Sequence, residues 1–274
     1  MFDPLAADPP GDPDFPATTP ALTLDSHGTP LLGVLHVPAG RGPHPVAVLL
    51  HGFPGNERNF DLAQVLRRAG YASLVFHYRG SWGVGGSWSW AHVLEDAAAV
   101  VSGLYEVAAD HRLDMRRLVA IGHSLGGFAA LMTAAAEPAI SAVVSVAGFD
   151  VGAAAALCRA DPKVRAGYAE AFDGELGPLR GTSGEALVGE MEAAGDAWRL
   201  TSLAPLLADR RVLLIGTGRD SVTPYELHHE PVVTAYRAQP VDHLEHHVFP
   251  TDHSLSDHRV TLSRTILDFL ARCP

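Results

Sequence analysis

Short apolar runs recur along the chain, and stretches of helical periodicity separate most of the later ones. ALTL (21–24), LLGVLHV (31–37), VAVLLH (46–51), ASLVFHY (72–78), RLVAIGH (117–123), SAVVSVAGF (141–149), VLLIG (212–216) and LEHHVF (244–249) read as strands. The first two lie close together with Gly28 between them, which predicts an antiparallel hairpin. Several later runs are continuously apolar, as strands become when helices cover both faces of a parallel sheet. Glu57 to Ala69, Trp90 to Ala109 and Leu125 to Ala136 are amphipathic or alanine-rich and supply such helices. Repetition of strand, helix and strand with right-handed crossovers predicts a doubly wound α/β sheet.

Two segments break the alternation. Residues 1–20 are rich in Pro and Asp without periodicity and are expected as a mobile arm preceding a domain over 21–274. Residues 151–205 are helix-prone but interrupted by Gly174, Gly177, Pro178, Gly181 and Gly184. They are expected as an inserted helical cap; the pattern distinguishes a lid only weakly from a surface helical excursion.

With 274 residues, of which 47% are hydrophobic and 19% charged, the chain can bury one substantial core. A formal net charge of −11 repels phosphate backbones and anionic lipid, and the basic residues form only short pairs such as Arg67-Arg68 and Arg116-Arg117. No nucleic-acid partner is expected. Leu118 to Ala136 lacks Asp, Glu, Lys and Arg, but Gly122, Gly126 and Gly127 divide it into strand, turn and helix, so no membrane span is expected. The amino terminus has acids and prolines where a secretion signal has a basic start and an apolar run. Cys158 and Cys273 have neither metal-type spacing nor the density of a disulfide framework, which fits a cytoplasmic location.

Chemistry concentrates at Gly122-His123-Ser124-Leu125-Gly126. The five-residue pattern is common by chance, but here a strand precedes it and a helix follows. A serine at that junction occupies a sharp, strained turn, at the helix end whose dipole favours developing negative charge. Upstream, His51-Gly52-Phe53-Pro54-Gly55 follows the strand VAVLL. Acyl transfer needs two backbone N–H groups aimed at the developing oxyanion. Pro54 has none, which leaves Phe53 as candidate beside Leu125.

HGFPG, FHYRGSWGVGG, GHSLGG, LIGTGRDSVTP and PTDHS follow one another in the order seen in α/β-hydrolases. Over roughly residues 21–272 the chain resembles their dienelactone-hydrolase and prolyl-oligopeptidase-like branch, which includes feruloyl-type esterases. The resemblance implies an α/β-hydrolase fold and a serine esterase acting on a small-molecule ester without cofactor or metal; oligomeric state stays open. Prolyl-oligopeptidase-type peptidases carry a propeller domain for which this chain has no room. An aminopeptidase-like amide hydrolase using the same residues, or a non-catalytic binding protein, remain as alternatives.

Fifteen histidines make the base a real choice. The order in such chains is Ser, then acid, then His. Asp220 follows the strand VLLIG and His253 follows LEHHVF, so both sit in loops at carboxyl ends of strands, where sites in such sheets gather. Asp220 is therefore expected to orient the base and His253 to be it. Asp252 reads as a turn residue, and His246 and His247 as strand positions facing opposite ways. His258 reads as a surface position in the last helix, and His51 and His123 as structural groups beside the site. His228, His229 and His243 lack a metal-binding spacing. Trp82, Trp88 and Trp90, in a glycine-rich loop, could line a substrate pocket or cover the core beneath it.

Overall fold

The computed structural model describes residues 2–239 and 243–273. One eight-stranded sheet runs through the molecule in the order β1-β2-β4-β3-β5-β6-β7-β8. Strand β1 (Ala21–Ser26) pairs antiparallel with β2 (Thr29–His36), which pairs antiparallel with β4 (Ala72–Phe76). From β4 onward all pairs are parallel, through β3 (His44–Leu50), β5 (Leu113–His123), β6 (Ile140–Val146), β7 (Arg211–Thr217) and β8 (Leu244–Phe249).

Burial on both faces follows from the two-residue period of a strand. Val46, Val48 and Leu50 of β3 face one core, while Ala47 and Leu49 face the other. Leu118 and Ala120 of β5 divide from Val119 and Ile121 in the same way. One layer packs α2 (Trp90–Val107) and α3 (Leu125–Ala136) on the sheet. The opposite layer packs α1 (Phe60–Arg68) through Leu62 and Leu66, and the last helix through Leu262, Ile266 and Phe269. Ser89 starts α2 by accepting the His92 amide at 3.1 Å, as a good N-cap does.

Because β3 is flanked by β4 on one side and β5 on the other, the chain leaves their carboxyl ends in diverging directions. The crevice so created is where open α/β sheets bind ligands.

Between β6 and β7 the chain forms α4 (Val151–Ala160), α5 (Pro162–Asp173), α6 (Gly184–Ala194) and two 3-10 segments, Gly195–Trp198 and Leu200–Leu207. This insert is tied to the loop before α2. Trp82 N–H donates to Pro178, Trp88 N–H to Arg180 and Arg180 N–H to Gly80, at 2.8–3.0 Å. The Glu190 carboxylate also accepts the Trp90 and Ala91 amides, at 2.9 and 2.7 Å. A residue of the insert thereby satisfies orphan donors of a core helix.

After β7 come α7 (Tyr225–His228) and α8 (Glu230–Arg237), and α9 (Arg259–Leu270) closes the fold. Residues 2–20, expected as a mobile arm, lie along the body. Thr18 bridges Val37, Arg68 donates to the Pro4 carbonyl at 2.6 Å, and Arg264 pairs with Asp3 at 2.7 Å. Among the described residues no helix is long and apolar enough to cross a membrane.

Buried histidines contribute to the pH response of the fold. Burial holds His51, His123 and His229 down at about 3 and His228 at about 4, against an ordinary value of 6.5. An unfolded chain takes up these protons near pH 6.5 and the folded one does not. Stability from them is therefore complete above that pH and is lost as pH falls toward 3–4. Each protonated site costs about 1.4 kcal/mol per pH unit below the unfolded value. Urea unfolding at pH 7.5, 6 and 5 should show a steep decline; a flat profile would contradict the neutral burial of these rings.

Candidate active site

Three loops at the carboxyl ends of β3, β5 and β7, with a fourth after β8, meet above the sheet. Ser124 stands between β5 and α3 with φ 59° and ψ −123°, a region that non-glycine residues rarely occupy. Its amide donates to Val146 at 2.8 Å, and its carbonyl accepts from Gly127, Phe128 and Phe149 at 2.9–3.3 Å. Those bonds hold the strained turn. The neighbouring glycines are required by close backbone approach: a Cβ on Gly122 would lie 1.8 Å from the Gly126 oxygen, and one on Gly126 would lie 1.9 Å from that of Leu50.

The loop after β3 brings Phe53 to the cavity that Ser124 and Leu125 also line. Neither the Phe53 nor the Leu125 amide has a hydrogen-bond acceptor among the described residues. His51 Nδ1 lies 2.8 Å from the Gly52 carbonyl; with the ring neutral, its N–H donates there and braces the loop.

Asp220 is held from every side. Its Oδ1 accepts the amides of Val222 and Thr223, each at 2.8 Å. Its Oδ2 accepts the hydroxyls of Thr217 and Thr223 at 2.7 Å and faces His253 Nδ1 at 2.7 Å. Burial alone raises a carboxyl, but the hydrogen bonds from His253 first, then from Thr217 and Thr223, hold Asp220 well below the ordinary range. It is an ionised carboxylate with no exposed side-chain surface. Thr223 Oγ1 also lies 3.2 Å from His253 Nδ1 and 3.3 Å from the Ala147 carbonyl.

The loop that carries His253 is tied to the strand before Ser124. His123 Nε2 donates to the His253 carbonyl at 2.7 Å, and burial keeps His123 neutral. His253 and Ser124 line one cavity. No hydrogen bond joins their side chains among the described residues, and His253 Nε2 has no partner there. Such contacts often tighten only when a ligand is bound.

That cavity measures about 710 Å³. Its outer wall is α5, which contributes Val164, Tyr168 and Phe172, and Phe149 faces it from the end of β6. Of the three tryptophans expected as pocket lining, Trp90 lines the cavity and Trp82 and Trp88 do not. Trp90 forms part of the wall and is buried there, with its ring 5.5 Å from Phe53 and 5.3 Å from Phe172. Trp88 packs behind Phe53 at 5.2 Å and is not part of the wall. Trp82 donates through Nε1 to the Pro54 carbonyl at 2.9 Å and stacks on His77, away from the cavity. Trp88 and most of Trp90 are buried beneath the loop, because burying so much apolar surface outweighs exposing it.

Other positions also moved. His258 precedes α9 rather than lying within it, and bonds Asp257 at 2.8 Å. Asp252 does close a turn, accepting the Ser256 amide at 2.8 Å. Sequence reasoning missed the two threonines around Asp220 and the ring pair on α5. GTGRDSVT contains the threonines, but only the turn geometry aims their hydroxyls at one oxygen. Tyr168 and Phe172 are spaced for one helix face, a signal that does not say what the face meets.

The profile of the alpha/beta hydrolase family matches residues 47–264. The 2,6-dihydropseudooxynicotine hydrolase of Paenarthrobacter nicotinovorans is 30% identical over 138 residues, which span 49% of this chain and 36% of that protein. The chain thus spans about a third of that relative's length. Among solved structures, Est1E from Butyrivibrio proteoclasticus with bound ferulic acid superposes with a TM-score of 0.68 at 19% identity, covering 92% of this chain and 99% of that one. An esterase of Pyrococcus furiosus gives 0.67 at 17% identity, with 97% of both chains covered. Both likenesses are likenesses of fold.

Removing one hydroxyl from the Asp220 clamp should be measurable without any assay of turnover. Thr223→Val keeps the volume and deletes a buried charge-assisted bond, and should cost about 1.5–3 kcal/mol in urea unfolding at pH 7. Thr223→Ser should recover most of that. Equal stability of Val and Ser variants would show that the hydroxyl contributes nothing.

Proposed function

The chain belongs to the alpha/beta hydrolase family, and from that premise we propose that it is a serine hydrolase cleaving carboxylic esters through an acyl-enzyme. The observation that carries the reading is the Asp220–His253 pair, 2.7 Å apart, opening on the same cavity as Ser124. In this reading His253 Nε2 takes the proton of Ser124 as Oγ attacks the acyl carbon. Asp220 fixes the tautomer with the proton on Nδ1 and stabilises the imidazolium that forms. The amides of Phe53 and Leu125 receive the oxyanion; losing one such donor typically costs about 3 kcal/mol of transition-state stabilisation. His253 then returns the proton to the departing alcohol. Water enters, gives a proton to the same nitrogen, and releases the acid. Neither metal nor cofactor has a role in this sequence.

The insert over 151–205 is proposed as the cap of the acyl site, since α5 supplies an outer wall of the cavity. The unpaired Cys158 and Cys273 suit a reducing compartment, and a cytoplasmic location belongs to the proposal.

A p-nitrophenyl ester and its matched p-nitroanilide, assayed with the wild type and Ser124→Ala, test the reading. Ester turnover should exceed anilide turnover, and Ser124→Ala should lower kcat by about 10⁴-fold or more. Asp220→Asn should lose about 10²–10⁴-fold. A fluorophosphonate probe should label the wild type at Ser124 only. Absence of both labelling and turnover would leave a non-catalytic binding protein, and faster anilide cleavage would make it an amidase.

A further inference from the structure

Resting on the serine-hydrolase reading, we propose that the cavity is charge-selective: it accepts neutral and cationic aryl substrates and excludes those carrying a carboxylate. The walls hold two carboxylates, Glu57 on the loop after β3 and Glu175 just past α5. Apart from the imidazoles of His123 and His253, no basic side chain lines the cavity among the described residues. The cations nearby have other first partners, and Arg259, which Glu57 also attracts, offsets part of the wall charge without lining the cavity. Arg58 lies over Trp82 at 4.7 Å, Arg259 pairs with Asp61 at 2.6 Å, and Lys163 is exposed outside the walls.

Aromatic faces complete the environment. Phe53 and Tyr168 are half-buried and present ring surface, with Phe149 and Phe172 packed against them at 5.4–6.3 Å. A quaternary ammonium is favoured by the ring quadrupoles of these faces. The same rings are indifferent or unfavourable to a carboxylate. Such a group would have to shed water with two like charges at the rim and no guanidinium or ammonium to receive it. The net charge of −11 adds a long-range field of the same sign.

The test compares phenyl acetates bearing a meta substituent: trimethylammonio, its neutral isostere tert-butyl, and carboxylate. Each kcat/KM is divided by the rate constant for hydroxide cleavage of the same ester, which removes leaving-group reactivity. The normalised value for the cation should exceed that for the carboxylate by about tenfold or more at low salt, and the ratio should shrink at high ionic strength. The double variant Glu57→Gln/Glu175→Gln should flatten the series, bringing the normalised ratio of cation to carboxylate, read within the variant itself, toward one. Carboxylate turnover equal to that of tert-butyl, or a ratio untouched by the double variant, overturns the proposal. Binding of the three corresponding phenols to Ser124→Ala by calorimetry reads the same preference without turnover. An inert wild type that still ranks the phenols in that order would refute the esterase reading alone, and equal affinities would refute charge selection alone.

Discussion

Backbone packing at the end of β5 is the constraint on which the site depends. Ser124 occupies a conformation that costs about 1–3 kcal/mol, and it persists because Val146, Gly127, Phe128 and Phe149 hydrogen-bond its amide and carbonyl. The helix that begins there approaches β3 so closely that Gly126 cannot carry a side chain beside the Leu50 carbonyl. Strand β3 therefore delivers its loop, and with it Phe53, against the serine. Altering the contact would separate the two halves of any oxyanion site.

Charge in the interior is arranged by the same economy. Asp220 has no exposed side-chain surface and stays ionised because five donors converge on it. His51 and His123 are its counterpart: burial keeps both neutral, so each donates one N–H to a loop carbonyl and carries no charge toward His253. The site thus combines a fixed negative charge, the imidazole it orients and two neutral braces.

The insert between β6 and β7 is joined to this arrangement by hydrogen bonds as well as by apolar contact. Glu190 on α6 closes the amino end of α2, and segment 178–180 pairs with the loop that carries Trp82 and Trp88. One side of the insert is therefore stitched to the core, while α5, whose only buried residue is Phe172, forms the outer wall of the cavity.

The strands were legible in the sequence because each is a short apolar run bounded by turn residues, and Ser124 because a strand and a helix flank its glycines. Asp220 and His253 were legible as loop positions at strand ends, so local text sufficed to place them near one edge of the sheet. The destination of a side chain was not. Three tryptophans in a glycine-rich loop look alike on paper, yet Trp88 turns under the loop, Trp90 reaches the cavity wall and Trp82 turns away from the cavity. Likewise, nothing local marks Thr217, Thr223, Tyr168 or Glu57 as neighbours of the site. Periodicity records which face of an element is apolar, since that depends on residues a few positions apart. What the face meets depends on segments about a hundred residues away, and only the packed structure brings those together.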